Sequence, residues 1–158
     1  MRFDKILVPL DGSILAEAAL WKAVEIAGGG TLSLLRAAEA HTMPGADQID
    51  AQVAAVREAE EYLASVARRL AGRGLKKVET HVWYGPPAAA ILEAAETQKS
   101  DVIVMSTHGR SGLGRLILGS VAESVLRGTR TPILVVRADS APLAPQRGAT
   151  PAKETTRV

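Results

Sequence analysis

"DVIVMSTHGRSGLGRLILGSVAESVL", residues 101 to 126, passes from an apolar run through four glycines into a segment of helical period. Residues 101–106 have a strand's length and almost no polar interruption, which suits a parallel strand covered on both faces. In open α/β sheets, ligands sit where a loop leaves the carboxyl end of such a strand and enters a helix. Glycines let a ligand approach the backbone closely. A helix beginning at Gly119 or Ser120 would point unpaired N–H groups at an anion, and His108, Arg110 and Arg115 add donors and positive charge nearby. The same helix start also reads "SVAE" (120–123), a capping box in which Ser120 and Glu123 would satisfy each other's backbone donors and serve the helix alone.

Neither common phosphate motif fits the loop. A P-loop framed on Gly109 and Gly114 needs lysine and a hydroxyl next, where the chain has Arg115 and Leu116. A dinucleotide fingerprint on Gly112 and Gly114 needs glycine at 117, which is Ile117, and it belongs after the first strand of its βαβ unit.

Outward from this stretch, strand-length apolar runs at 3–9, 31–38, 76–84, 101–106 and 132–137 alternate with helical segments. That alternation predicts an α/β fold, a five-stranded parallel sheet with helices on both faces. The first helix runs from about Ser13 to Gly28, where "GGG" (28–30) supplies a left-handed cap and a tight return. The second spans roughly 50–72, with Val53, Val56, Leu63, Val66 and Leu70 on one stripe. The third opens on Pro86 and Pro87, residues suited to a first turn, and turns Ile91, Leu92 and Ala95 inward. The fourth stops before Pro132.

The third run alternates polar and apolar residues, which predicts an edge strand. With strand order 3-2-1-4-5, the run "PILVVR" (132–137) forms the other edge, with little polarity to blunt pairing. A second copy covering it would give a homodimer through strand 132–137; a helix or the tail could cover it instead. Residues 1–138 are read as one domain. Residues 139–158, rich in Pro, Ala and Thr, are expected to be a disordered tail. "EAHTMPGADQ" (39–48) is either a lid over the carboxyl edge or a plain connector.

Composition narrows the function. At 158 residues the chain holds one ordinary domain, and 3% aromatics leave the core to Ala, Leu, Val and Ile. A net charge of +2 calls for no nucleic acid, and the absence of cysteine excludes disulfides, thiol nucleophiles and cysteine-bound zinc. The apolar run at 6–10 is shorter than a signal segment and no run reaches membrane-spanning length, so a cytoplasmic protein is expected. Trp21 and Trp83 are read as packing residues, and His41 and His81 lack metal-ligand spacing. "VPLDGS" (8–13) places Asp11 and Ser13 where the first strand meets its helix. It is either a turn with an N-cap or a place for a sugar hydroxyl or a phosphate-bound metal.

"KILVPLDGS", the 101–126 block and "TPILVV", taken together, resemble the universal stress protein family in content, order and spacing over roughly residues 1–137. The resemblance implies a Rossmann-like fold of the adenine nucleotide alpha hydrolase type, order 3-2-1-4-5, and dimerisation through the last strand. Members that bind ATP carry G-x2-G-x9-G-[ST], matched here as Ser106-x2-Gly109-x9-Gly119-Ser120, with serine replacing the first glycine. Serine fits if φ at 106 is negative and narrows the space beside the ribose if it is positive.

Carried over, Pro9 and Asp11 would lie near ribose and phosphates, and Ala37 would present its backbone to the adenine edge. Ser106 and Gly109 would flank the ribose and α-phosphate, while Gly119, Ser120 and the Val121 amide would hold the outer phosphates. Magnesium would come with ATP, bound mainly by phosphate oxygens and water. The function so implied is an adenine-nucleotide (ATP or AMP) binding regulatory protein without fast catalysis, His108 being the one titratable group in reach as a base. The alternatives are a dimeric interaction module that binds no nucleotide, and an enzyme of the ATP-pyrophosphatase type. That type carries S-G-G-x-D-S where this chain has "PLDGS".

Overall fold

The computed structural model describes residues 3–40, 44–45, 47–108 and 119–138. Strands β1 (Lys5–Pro9), β2 (Thr31–Ala38), β3 (Val78–Tyr84), β4 (Val102–His108) and β5 (Ile133–Ala138) alternate with helices α1 (Ile14–Ala27), α2 (Gln48–Ala71), α3 (Pro87–Thr97) and α4 (Ser120–Gly128). The sheet has the order β3-β2-β1-β4-β5, and every pairing is parallel. The edge positions of β3 and β5 are those expected from sequence. The tail at 139–158 lies outside the described residues, as do 41–43 and 46 of the segment read as lid or connector.

Strand alternation divides the core in two. Ile6, Val8, Leu32, Leu34, Val102 and Val104 face α1 and α2, where Leu20, Leu63, Val66 and Leu70 meet them. Leu7, Leu35, Ile103 and Met105 face α3 and α4, against Ile91, Ala94, Ala95, Ala122 and Val125. Successive strand residues are therefore buried on opposite faces, which explains the unbroken apolar runs of β1 and β4. Trp83 packs on the second cluster and donates Nε1–H to Glu93 (3.2 Å), while Trp21 lies under the Arg73 guanidinium at 4.2 Å, so both act in packing.

The α2 stripe departs from expectation at its start. Leu63, Val66 and Leu70 are buried, but Val53 is 45% exposed and Ile49 70%. The reason is length: the 24 residues of α2 span about 36 Å, against about 23 Å for the 7 residues of β3, so its first turns overhang the sheet.

The ends of elements are pinned by specific contacts. Ser13 Oγ caps α1 by accepting from Ala16 N–H, and Gly28 closes it at φ 51°, in the left-handed region. Asp101 Oδ2 accepts from the amides of Asp4 and Lys5 (both 2.8 Å), tying the entry of β4 to that of β1. Pro86 and Pro87 start α3 as N-cap and first helical residue.

Candidate functional site

Strands β1 and β4 are neighbours whose helices leave on opposite faces of the sheet, so the loops at their carboxyl ends diverge and open a crevice. On the β1 side, Leu10 N–H extends the ladder to Leu35 O (2.8 Å). Asp11 Oδ1 then accepts from Ser13 N–H (2.8 Å), so the stretch does form the turn with an N-cap. Asp11 Oδ2 has no hydrogen-bond partner among the described residues, and Asp11 lines the crevice.

This turn is supported from beneath. Gly12 has φ 88°, and a Cβ there would stand 3.3 Å from Arg36 Nη1. Arg36 in turn bonds Glu58 (2.9 Å) and lies over the Tyr62 ring at 4.9 Å. Burial and then the adjoining Glu17 carboxylate push the Tyr62 phenol well above its ordinary value, keeping it a donor to Glu17 (3.2 Å). Arg69 holds the same carboxylate through two bonds of 2.7 and 3.0 Å.

On the β4 side, the strand continues to His108, two residues past the expected end, with Ser106 paired to Val136 and Thr107 to Arg137. Ser106 therefore sits in extended backbone. Among the described non-glycine residues only Lys99 has a positive φ, so the Cβ at 106 carries no backbone strain. Gly109, together with Arg110, Gly112, Gly114 and Arg115, lies outside the described residues.

The capping-box expectation at α4 is overturned. The N-cap is Gly119, extended at φ −60° and ψ 159°, with no side-chain capping bond, and Ser120 is the first helical residue. Being inside the helix, Ser120 cannot cap it, and Glu123 pairs with Arg127 instead (2.8 and 3.2 Å). The first-turn amides and the Ser120 hydroxyl are thus left without side-chain partners among the described residues, at the positive end of the helix dipole.

Between these walls lies a cavity of about 330 Å³. Seven of the eight residues singled out from sequence line it: Pro9, Asp11, Ala37, Ser106, Gly119, Ser120 and Val121, with Gly109 outside the described residues. Sequence does not single out the apolar wall formed by Leu35, Ile91, Met105 and Ala122, nor Pro87 and Thr107 as lining residues. Part of that was recoverable: Met105 and Thr107 alternate on one face of β4, as Leu35 and Ala37 do on β2. That α3 closes the same space is a tertiary fact with no local signal. The cavity joins an apolar wall to a helix N-terminus, a combination that suits an apolar ring bearing an anionic group.

The Universal stress protein family model matches residues 2–137. A universal stress protein of Methanocaldococcus jannaschii is 33% identical over 142 residues, covering 85% of this chain and 82% of that protein. The structure of a universal stress protein from Lactobacillus plantarum superposes with a TM-score of 0.72 at 26% identity, over 87% of this chain and 99% of that one. A universal stress protein crystallised in complex with cAMP superposes at 0.65, with 22% identity, over 86% of this chain and 98% of its own.

Proposed function

Because the chain belongs to the universal stress protein family, we propose that it is an adenine-nucleotide-binding regulatory protein of the stress response, taking ATP or AMP in the cavity between β1 and β4. One observation carries the reading. Residues far apart in the sequence, Pro9 and Asp11, Ala37, Ser106, and Gly119 to Val121, line one cavity at the switch point of the sheet. The adenine lies against Leu35, Ile91 and Met105, with the Ala37 backbone at its edge. The phosphates extend toward the amides of Gly119, Ser120 and Val121, with Ser106 and Gly109 beside the ribose and α-phosphate.

Magnesium enters with the nucleotide. Among the described residues no group of three His, Cys, Asp or Glu side chains is placed to hold an ion. A cation carried by phosphate oxygens and water needs at most one or two protein oxygens, and Asp11 Oδ2 and Ser120 Oγ stand at the wall to supply them. The ligand acts by being bound: among the described residues Asp11 is the only carboxylate on the cavity wall, and one of its oxygens holds the Ser13 amide.

The competing module that binds no nucleotide drew support from serine at 106 and from a capping box at 120–123. Extended backbone accommodates the first, and the second does not form. Heat-denatured protein is expected to release an adenine nucleotide, and calorimetric titration with ATP and magnesium is expected to saturate one site per chain. No released nucleotide and no heat at millimolar ATP would exclude this function.

The protein works as a homodimer. Strand β5 is an edge strand whose Ile133, Leu134, Val135 and Val136 are only partly buried, an edge that favours pairing with a second copy. Val135→Lys is expected to convert dimer to monomer in sedimentation velocity, and an unchanged sedimentation coefficient would reject pairing through β5. Among the described residues, no helix is long and apolar enough to cross a membrane.

A further inference from the structure

Strand β3 is the sheet edge opposite β5, and among the described residues no chain lies beyond it. Leu32 N–H donates to Lys77 O (2.9 Å) and Gly85 N–H to Ala38 O (3.0 Å), so the odd-numbered residues along β3 turn their N–H and C=O groups toward β2. Val78, Thr80, Val82 and Tyr84 therefore direct theirs outward along the open edge. Such an edge is a template for one further strand.

The same residues turn their side chains to the face that α2 covers, where Thr80, Val82 and Tyr84 form a groove of about 270 Å³ with Val56, Glu60 and Leu63. Ile49, Val53, Val56 and Glu60 recur at helical spacing, which carries the apolar stripe from this groove out past the end of the strand. Ile49 and Val53 are mostly or half exposed and Tyr84 is 49% exposed, three of the five large apolar side chains that stand exposed among the described residues. Their clustering beside an open edge marks an interaction surface.

Charge decides what covers it. Glu60 lines the groove and has no hydrogen bond or ion pair among the described residues. Over residues 48–62, α2 carries Asp50, Glu58, Glu60 and Glu61 against Arg57 alone. Antiparallel pairing of β3 with β3 of a second copy would set two acidic α2 helices side by side, which opposes self-association here. We propose that the open edge of β3 binds an extended cationic segment of another protein. The segment adds as a sixth strand about 4.8 Å beyond β3, sets apolar side chains against Val53, Val56 and Tyr84, and directs a lysine or arginine to Glu60. This surface is independent of what the cavity between β1 and β4 holds.

The test uses full-length protein and a short fluorescent peptide in which threonine alternates with valine, lysine and valine, beside a control with glutamate in place of lysine. Anisotropy is expected to show the lysine peptide binding at least about fivefold more tightly than the control, and Glu60→Lys should reverse that order. Ile49→Ser combined with Val53→Ser, both at exposed positions, should weaken both peptides about tenfold at an unchanged unfolding temperature. Hydrogen exchange at the Thr80, Val82 and Tyr84 amides should slow when the lysine peptide is bound. Equal affinity for the two peptides in the parent, or unslowed exchange at those amides, would overturn the proposal. So would binding that appears only after residues 139–158 are removed, which would make the chain's own tail the occupant. A sedimentation coefficient lowered by the double serine variant would overturn it too, since a second copy would then be the occupant.

Discussion

Gly119→Asp is expected to weaken ATP binding at least about 100-fold while leaving the fold intact or slightly more stable. A factor of 100 corresponds to about 2.7 kcal/mol of binding free energy. Gly119 is the α4 N-cap in extended backbone that any residue adopts, and among the described residues nothing stands within 4 Å of a Cβ placed there. Aspartate ranks above glycine at an N-cap by a few tenths of a kcal/mol, because its carboxylate accepts from the amides of the first turn. Those amides are the ones proposed to hold phosphate, so a better cap makes a worse site. The new charge also repels the ligand: two like charges 4 Å apart near a protein surface interact by up to about 4 kcal/mol.

Calorimetry with ATP and thermal unfolding of the same samples separate the two effects. Gly119→Asn, which caps without charge, should fall between parent and aspartate variant in affinity. Undiminished ATP binding by Gly119→Asp would remove the phosphates from this helix end.

Gly30→Ala is expected to be the most damaging of the small changes in the glycine run, costing about 3 kcal/mol of stability. A Cβ at 30 would collide with the carbonyl oxygen of Phe3 and crowd those of Ala27 and Asp4 at 3.1 Å, all backbone atoms with little room to withdraw. Two of these carbonyls are committed, since Ala27 O accepts from Gly30 N–H (2.7 Å) and Asp4 O from Thr31 N–H (2.8 Å). The close approach of α1's end to β1's start therefore depends on the missing side chain. Gly28→Asn, at φ 51° in the left-handed region that asparagine tolerates, should be nearly neutral. Urea denaturation of both variants checks the contrast, and equal midpoints would contradict it.

Most of the architecture was legible because it is written in short-range patterns. The apolar runs of β1 and β4, Ser13 before α1, and the prolines opening α3 each specify an element through its own backbone chemistry, and alternation in β3 marked it as an edge. The errors were of one kind. Periodicity carries the α2 stripe out to Val53 because it does not report where a sheet ends. Ser120 was read as a possible cap because a cap and a first helical residue differ by one position of backbone geometry. The cavity lining was legible where a motif marked it, at Pro9, Asp11 and Ser106 and at Gly119 to Val121, and illegible at Ile91 and Pro87, since nothing local says that α3 closes the same space.

The sequence by itself thus determined the fold class, the succession of strands and helices and the loops at the carboxyl ends of β1 and β4, since hydrophobic period and turn chemistry act over a few residues and survive without a partner. Only the tertiary structure decided that Ser120 is the first residue of α4 and not its cap, that Ser106 lies in unstrained strand, that Gly30 faces three carbonyls, and that α3 closes the cavity. Each depends on which distant atoms occupy the space beside a residue. That is settled when helices dock on both faces of the sheet, and no window of neighbouring residues contains it.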